Sequence, residues 1–139
     1  MLRIMFLCTG NSCRSQMADG IAKYLGGERV EVFSAGLEAQ GVNRRAIKVM
    51  AEIGIDISGN TSDEIDLELV KTMDYVITLC GDAEERCPAT PQSVTKLYWP
   101  FEDPAKAVGS EEEIMGQFKL TRDAIYRRLE TFFNYLQIR

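Results

Sequence analysis

The sequence predicts a single-domain α/β fold over residues 1–139, a four-stranded parallel sheet flanked by helices on both faces. Three observations predict it. The chain has 139 residues, 45% of them apolar, which is enough for one domain with a real core. Short apolar runs alternate along the chain with stretches of helical spacing. No repeat, low-complexity segment or Pro/Ser-rich linker breaks that alternation.

The elements follow in order. "RIMFL" (3–7) is a short apolar run and reads as a buried strand that enters a turn at Cys8. A helix follows, with Met17, Ala18, Ile21, Ala22 and Leu25 on one face, stopped by Gly26 and Gly27. "VEVFSAG" (30–36) alternates and reads as a second strand. Asn43 caps a second helix that turns Ala46, Ile47, Met50 and Ile53 inward and ends at Gly54. A short helix around 66–72 precedes a third strand, "DYVITLC" (74–80), and "KLYWPF" (96–101) is the fourth. Ser110 and Glu113 form a capping box for the last helix, in which Ile114, Phe118, Ile125, Leu129, Phe132 and Leu136 keep helical spacing.

In parallel sheets of this kind sites lie at the carboxyl ends of the strands. Cys8 follows strand one, Ser34 ends strand two, Cys80 ends strand three and Asp103 follows strand four. Four chemically useful side chains are therefore expected on one rim.

Composition limits what that rim can do. A net charge of −5 argues against a nucleic-acid surface. The start, "MLRIMFLCTGNS", turns polar too soon for a secretory leader, and no stretch approaches the roughly 18 apolar residues of a membrane span. The chain is therefore expected to be soluble and cytoplasmic, without a membrane partner. Nothing demands a dimer, so a monomer is expected. Four Cys in such a chain point to catalysis, redox chemistry or metal rather than a disulfide framework. The chain has no His, which removes Cys–His pairs, Ser–His–Asp triads and His-ligated metals.

Cys8 to Arg14 has the pattern Cys, five residues, Arg, and so does Cys80 to Arg86. Chemistry separates them. Thr9, Gly10, Asn11, Ser12 and Cys13 include no acid, whereas Asp82, Glu84 and Glu85 fill the second segment and would repel an oxyanion. The first segment also runs from a strand into a helix start, where free N–H groups and the helix dipole favour an anion. Gly10 allows a tight backbone path. Arg14 offers a planar fork for two oxygens of a tetrahedral oxyanion. Residues 9–15, through Ser15, thus read as a cradle for phosphate or an analogue. A free thiol of pKa about 8.5 is only about 3% thiolate at pH 7, while thiols beside arginine at helix N-termini fall to between about 3.5 and 7.5. That activates a nucleophile without His. On the residues alone, Cys80 and Cys87 read equally well as a core thiol and a loop residue. The cysteine separations lack the tight pairs of a zinc ribbon.

"CTGNSCRS" followed by "QMADG", with "SAG" at 34–36 and "DP" at 103–104, resembles the low-molecular-weight protein tyrosine phosphatases. "TLCGDAEERCP" (78–88) and "TSDEID" (61–66) make the chain more similar to the thioredoxin-coupled arsenate reductases built on that fold. The resemblance covers nearly the whole chain. It implies a four-stranded parallel sheet flanked by helices, with Cys8 attacking arsenate and Arg14 binding it. Phosphate and sulfate would bind as analogues. Reduction of arsenate needs two electrons, which thiols supply by ending as a disulfide. The implied relay passes from Cys8 to a Cys8–Cys80 disulfide, then to a Cys80–Cys87 disulfide that thioredoxin reduces. If 81–86 is helical, the last two thiols lie roughly 10 Å apart and the segment must unwind. Gly81, three acids and the flanking Pro88 suit a weakly packed element.

The resemblance also assigns supporting roles. Asp103 matches the acid that protonates the leaving oxygen. Ser15 would donate to the Cys8 sulfur, and Asn11 would fix the loop through Ser34. Cys13 reads as a small packed residue, or as a partner that pairs with Cys8 under oxidation. Residues matching Asn11, Asp19, Ser34 and Asp63 bind potassium in several members, although Asp19 stands where Glu is commoner; no tightly bound cofactor is otherwise expected. Phosphatases carry Tyr after Asp–Pro, but this chain has Ala105, so the aromatic wall is missing. Two other readings stand beside the reductase: a phosphatase using Cys8, Arg14 and Asp103, and a non-enzymatic oxyanion-binding or thiol redox sensor.

Overall fold

The computed structural model describes residues 1–87 and 89–138. Pro88 lies outside the described residues. The chain runs β1 (Leu2–Cys8), α1 (Arg14–Gly26), β2 (Val30–Gly36), α2 (Arg44–Ala51), α3 (Leu67–Val70), β3 (Tyr75–Thr78), α4 (Gly81–Arg86), β4 (Thr95–Tyr98) and α5 (Glu111–Leu136). The four strands form one parallel sheet in the order β2-β1-β3-β4, with helices on both faces. In β1, Ile4 to Cys8 are all buried, so both sides of the strand are covered, and a continuous apolar run is what such a strand requires. Among the described residues, no helix is long and apolar enough to cross a membrane.

The helices form where caps and apolar spacing coincide. Asn43 accepts from the N–H groups of Arg45 and Ala46 to start α2, and Asp66 starts α3 in the same way. The Ser110–Glu113 capping box is made from both sides. Gly27, at φ +54°, ends α1. Phe118, Ile125, Leu129 and Phe133 carry α5 into the core. Phe132 is only half-buried and sets its ring edge-on to Tyr75 and Trp99 at 5.1 and 5.2 Å between centroids.

Several expected boundaries shift, and β4 stops at Tyr98 rather than Phe101. α2 stops at Ala51 rather than Gly54. Ile53 and Gly54 donate to Met50 and Ala51, tightening the last turn, and Gly54 at φ +80° leads the chain away. Ile47 and Ile53 are accordingly half-buried, and Val49 takes the buried position on that face. β3 ends at Thr78 rather than Cys80, because its neighbour β1 turns into the Cys8 loop one residue after pairing with it. Leu79 still donates to Leu7 at 2.8 Å, which fixes Cys80 beside that loop.

Phe118 is fully buried where α5 meets the core. Phe118→Ala is expected to lower the unfolding free energy by about 3–5 kcal/mol, read by urea titration.

Candidate active site

The loop after β1 has a consistent polarity. Every carbonyl from Cys8 to Cys13 accepts a hydrogen bond from another part of the chain. Leu37 and Glu38 donate to Cys8 and Thr9 at 3.3 and 3.0 Å, Gln40 to Gly10 at 3.0 Å, Asn43 to Ser12 at 3.1 Å and Met17 to Cys13 at 2.9 Å. Ser62 Oγ donates to both Gly10 and Asn11, at 3.1 and 2.9 Å. Among the described residues, the backbone N–H groups of Thr9 to Ser15 donate to no protein acceptor. Carbonyls turned outward leave N–H groups turned inward, the form of a backbone anion nest. α1 adds to it, since its first turn has no acid and Cys13 gives no side-chain cap.

Cys8 sits at the edge of this nest, 2% exposed, with its Sγ 2.9 Å from Ser15 Oγ. When sulfur carries the charge, that hydroxyl donates to it. Arg14 is held from behind: Nη1 donates to the Phe101 carbonyl at 3.0 Å and Nη2 lies 3.6 Å from Asp103 Oδ2. Asp103 divides its oxygens, with Oδ1 accepting from Ala105 N at 3.0 Å to cap a short turn and Oδ2 facing Arg14. Cys80 Sγ lies 3.2 Å from Thr9 Oγ1, so the second thiol touches the loop that carries the first. It also accepts from Ala83 N at 3.4 Å and so caps α4. Cys87 lies at the other end of α4, half-buried. Burial pushes its thiol up, and Lys96 opposes the shift. All four cysteines are free thiols.

A cavity of about 220 Å³ opens over the nest, lined by Cys8, Thr9, Gly10, Ser12, Cys13 and Arg14. Asp103, Ala105 and Lys106 line it from beyond β4. A second cavity, of about 720 Å³, meets it at Thr9, Arg14 and Asp103 and reaches Cys80.

Several expected placements change. Gly10 is not the residue with unusual backbone. Asn11 is, at φ +48°; a Cβ at Gly10 would meet only the end of the exposed Gln40 side chain, 2.2 Å from its Oε1, which is free to move aside. Asn11 is fixed not through Ser34 but by Gln16 Nε2, which donates to its side-chain oxygen and to its carbonyl. Ser34 pairs with Phe6 inside the sheet and is not on the Cys8 rim. It lines a different cavity, of about 560 Å³, with Asp19 and Asp63. Gln40 also lines the Cys8 cavity, as does Asp82, an acid from the segment set apart by its charge. Gln40 and Ser62 carry no local pattern; only the contact between distant segments reveals them. Gly36 must be glycine, because a Cβ would come within 2.6 Å of Asn11 N.

The set Asn11, Asp19, Ser34 and Asp63 does not fit a potassium ion. Asn11 does not line the cavity of the other three, and its side-chain oxygen is taken by Gln16. Asp19 Oδ2 already faces Lys23 Nζ and Asn60 Nδ2, each at 3.1 Å. Burial raises the Asp19 carboxyl, and the Lys23 charge counters it. A lysine ammonium stands where a cation's charge would lie.

Residues 3–139 match the model for the low molecular weight phosphotyrosine protein phosphatases. The chain belongs to that family. Among its relatives, this family member is 56% identical over 129 residues to the arsenate reductase of Halalkalibacterium halodurans, covering 93% of each chain. A solved arsenate reductase in the phosphate binding state aligns at a TM-score of 0.77 with 37% identity, over 97% of this chain and 98% of that one. The thioredoxin-dependent arsenate reductase of Corynebacterium glutamicum aligns at a TM-score of 0.69 with 26% identity, over 94% of this chain and 63% of that one.

Two outcomes follow from this geometry. Asp82 lines the cavity, so removing its acid group in Asp82→Asn should tighten inorganic phosphate about two- to fivefold at low salt, measured by calorimetry. Burial, reinforced by Asp103, pushes the Cys13 thiol up to about 12, so it stays protonated near neutral pH. Iodoacetamide should leave Cys13 unmodified in the native protein, with label found there by mass spectrometry only after urea unfolding.

Proposed function

We propose that this protein reduces arsenate to arsenite through three cysteines and passes the resulting disulfide to thioredoxin. The observation that carries the reading is the Thr9–Cys80 contact. It sets a second thiol against an oxyanion nest that already holds one, and α4 leads from it to a third. A phosphoester hydrolase needs only Cys8 and an acid. A phosphotyrosine enzyme also needs a wall for the ring, where this chain offers the methyl group of Ala105. The arsenate reductases at 37% to 56% identity, and the thioredoxin dependence of the Corynebacterium glutamicum enzyme, support the same reading.

The steps balance. Cys8 thiolate attacks arsenate in the nest, forming a sulfur–arsenic bond. One arsenate oxygen leaves as water, with a proton from Asp103 and with Arg14 and the N–H groups of residues 9–15 taking the charge. Cys80 thiolate attacks Cys8 Sγ. A disulfide forms, the sulfur–arsenic bond breaks with its electron pair on arsenic, and arsenic leaves reduced from V to III. Cys87 thiolate then attacks Cys80 Sγ and frees Cys8. The dithiol of thioredoxin reduces the Cys80–Cys87 bridge.

That exchange needs α4 to open. Across its six residues the capping cysteines lie roughly 10 Å apart along the axis, while a disulfide needs Cα atoms within about 7 Å. Opening exposes little apolar surface, because only Ala83 among the residues of α4 is buried, and the tertiary ties on α4 itself are those of Glu84 to Thr78 and Lys96. The Cys80 sulfur also caps α4, and a new bond at that sulfur takes the cap away.

The test is arsenate-dependent NADPH oxidation with thioredoxin and thioredoxin reductase. Wild type should turn over, and Cys80→Ser and Cys87→Ser should stop after at most one turnover. Sustained turnover by Cys80→Ser, or none by wild type, would defeat the relay.

A further inference from the structure

We propose that Gln16 and Asn60 are positioning residues that hold Asn11 in its left-handed backbone conformation and thereby aim the N–H groups of the Cys8 loop at an oxyanion. The inference rests on the oxyanion site proposed above, and neither residue lines that cavity.

Asn11 sits in the middle of the nest at φ +48°, a region that disfavours any side chain, although Asn tolerates it better than most. Rotation back to negative φ would turn the neighbouring peptide units and take N–H groups out of the nest. Something must hold the residue, and Gln16 is placed to do so. It is fully buried in the first turn of α1. Its Nε2 donates to the Asn11 carbonyl at 3.1 Å and to the Asn11 side-chain oxygen, and reaches the Thr61 carbonyl at 3.0 Å.

An amide does this work only one way round. With nitrogen and oxygen exchanged, Gln16 would set its oxygen against three acceptors. Asn60 removes that choice. Its Nδ2 donates to Gln16 Oε1 at 3.0 Å and to Asp19 Oδ2 at 3.1 Å. A carboxylate only accepts, and Lys23 pairs with Asp19 at 3.1 Å, so Asn60 must present nitrogen. Gln16 must then show oxygen to Asn60 and nitrogen to Asn11. A charge pair on α1 thereby sets the direction of the hydrogen bonds from Asn60 to Gln16 and from Gln16 to Asn11.

The experiment measures inorganic phosphate affinity by calorimetry, with thermal unfolding run alongside. Gln16→Met keeps the shape and removes the donors, and should weaken phosphate about tenfold. Asn60→Ala, at a half-buried position where folding is less at risk, should weaken it about threefold. Glycine accepts positive φ freely, so in an Asn11→Gly background Gln16→Met should cost about twofold or less. Unchanged phosphate affinity in folded Gln16→Met and Asn60→Ala would overturn the proposal. So would an equal loss with and without Asn11→Gly, since damage to packing alone would not depend on residue 11. Phosphate binding is read apart from turnover, so wild type that binds phosphate without reducing arsenate would count against the reductase reading alone.

Discussion

The outward anchoring of the loop carbonyls is the constraint on which this site depends. A chain cannot point several successive N–H groups at one place unless its carbonyls find partners elsewhere. Here those partners come from the segment after β2, from Ser62 and from the first turn of α1. Close approach is part of the same requirement. Gly36, paired with Cys8 at the end of β2, leaves room for the Asn11 backbone. The nest is therefore a tertiary object, assembled by segments up to some fifty residues away from it.

The same packing sorts the four thiols. Cys8 and Cys13 share one loop, yet one lies beside the Ser15 hydroxyl and the other is buried with Asp103 as a neighbouring charge. Cys80 caps a helix with its sulfur while touching the loop through Thr9. Cys87 is set off at the far end of a helix with little buried surface. Four identical groups acquire four environments, and a thiol's reactivity follows its environment rather than its identity.

Charge is managed as closely as geometry. Arg14 does not float as a free cation: the Phe101 carbonyl and Asp103 both hold its guanidinium. Asp82 and Asp103 bring acids to the cavity over the Cys8 loop, and Lys106 joins Arg14 in bringing cations to it. On the far side of the loop, Lys23 balances the buried Asp19, and this pair takes up the place that a bound cation would need. A single lysine one helical turn beyond the aspartate changes what that cavity can hold.

The sequence by itself determined the architecture and the residue make-up of the loop after β1. The strand runs, the Asn43 and Ser110 caps and the Gly27 stop are local signals, and local backbone energetics and apolar spacing suffice to read them. Cys8, Arg14, Cys80 and Asp103 were legible because parallel strands deliver their following residues to one rim. Boundaries such as the end of β3 were not, because a strand ends where its neighbour turns away. Only the tertiary structure decided that Asn11 carries the left-handed backbone, that Gln16 rather than Ser34 holds it, that Asp82 and Gln40 line the cavity, and that Lys23 faces Asp19. Each of these depends on what lies across a gap between distant segments, and no spacing along one chain encodes the direction of a side chain across such a gap.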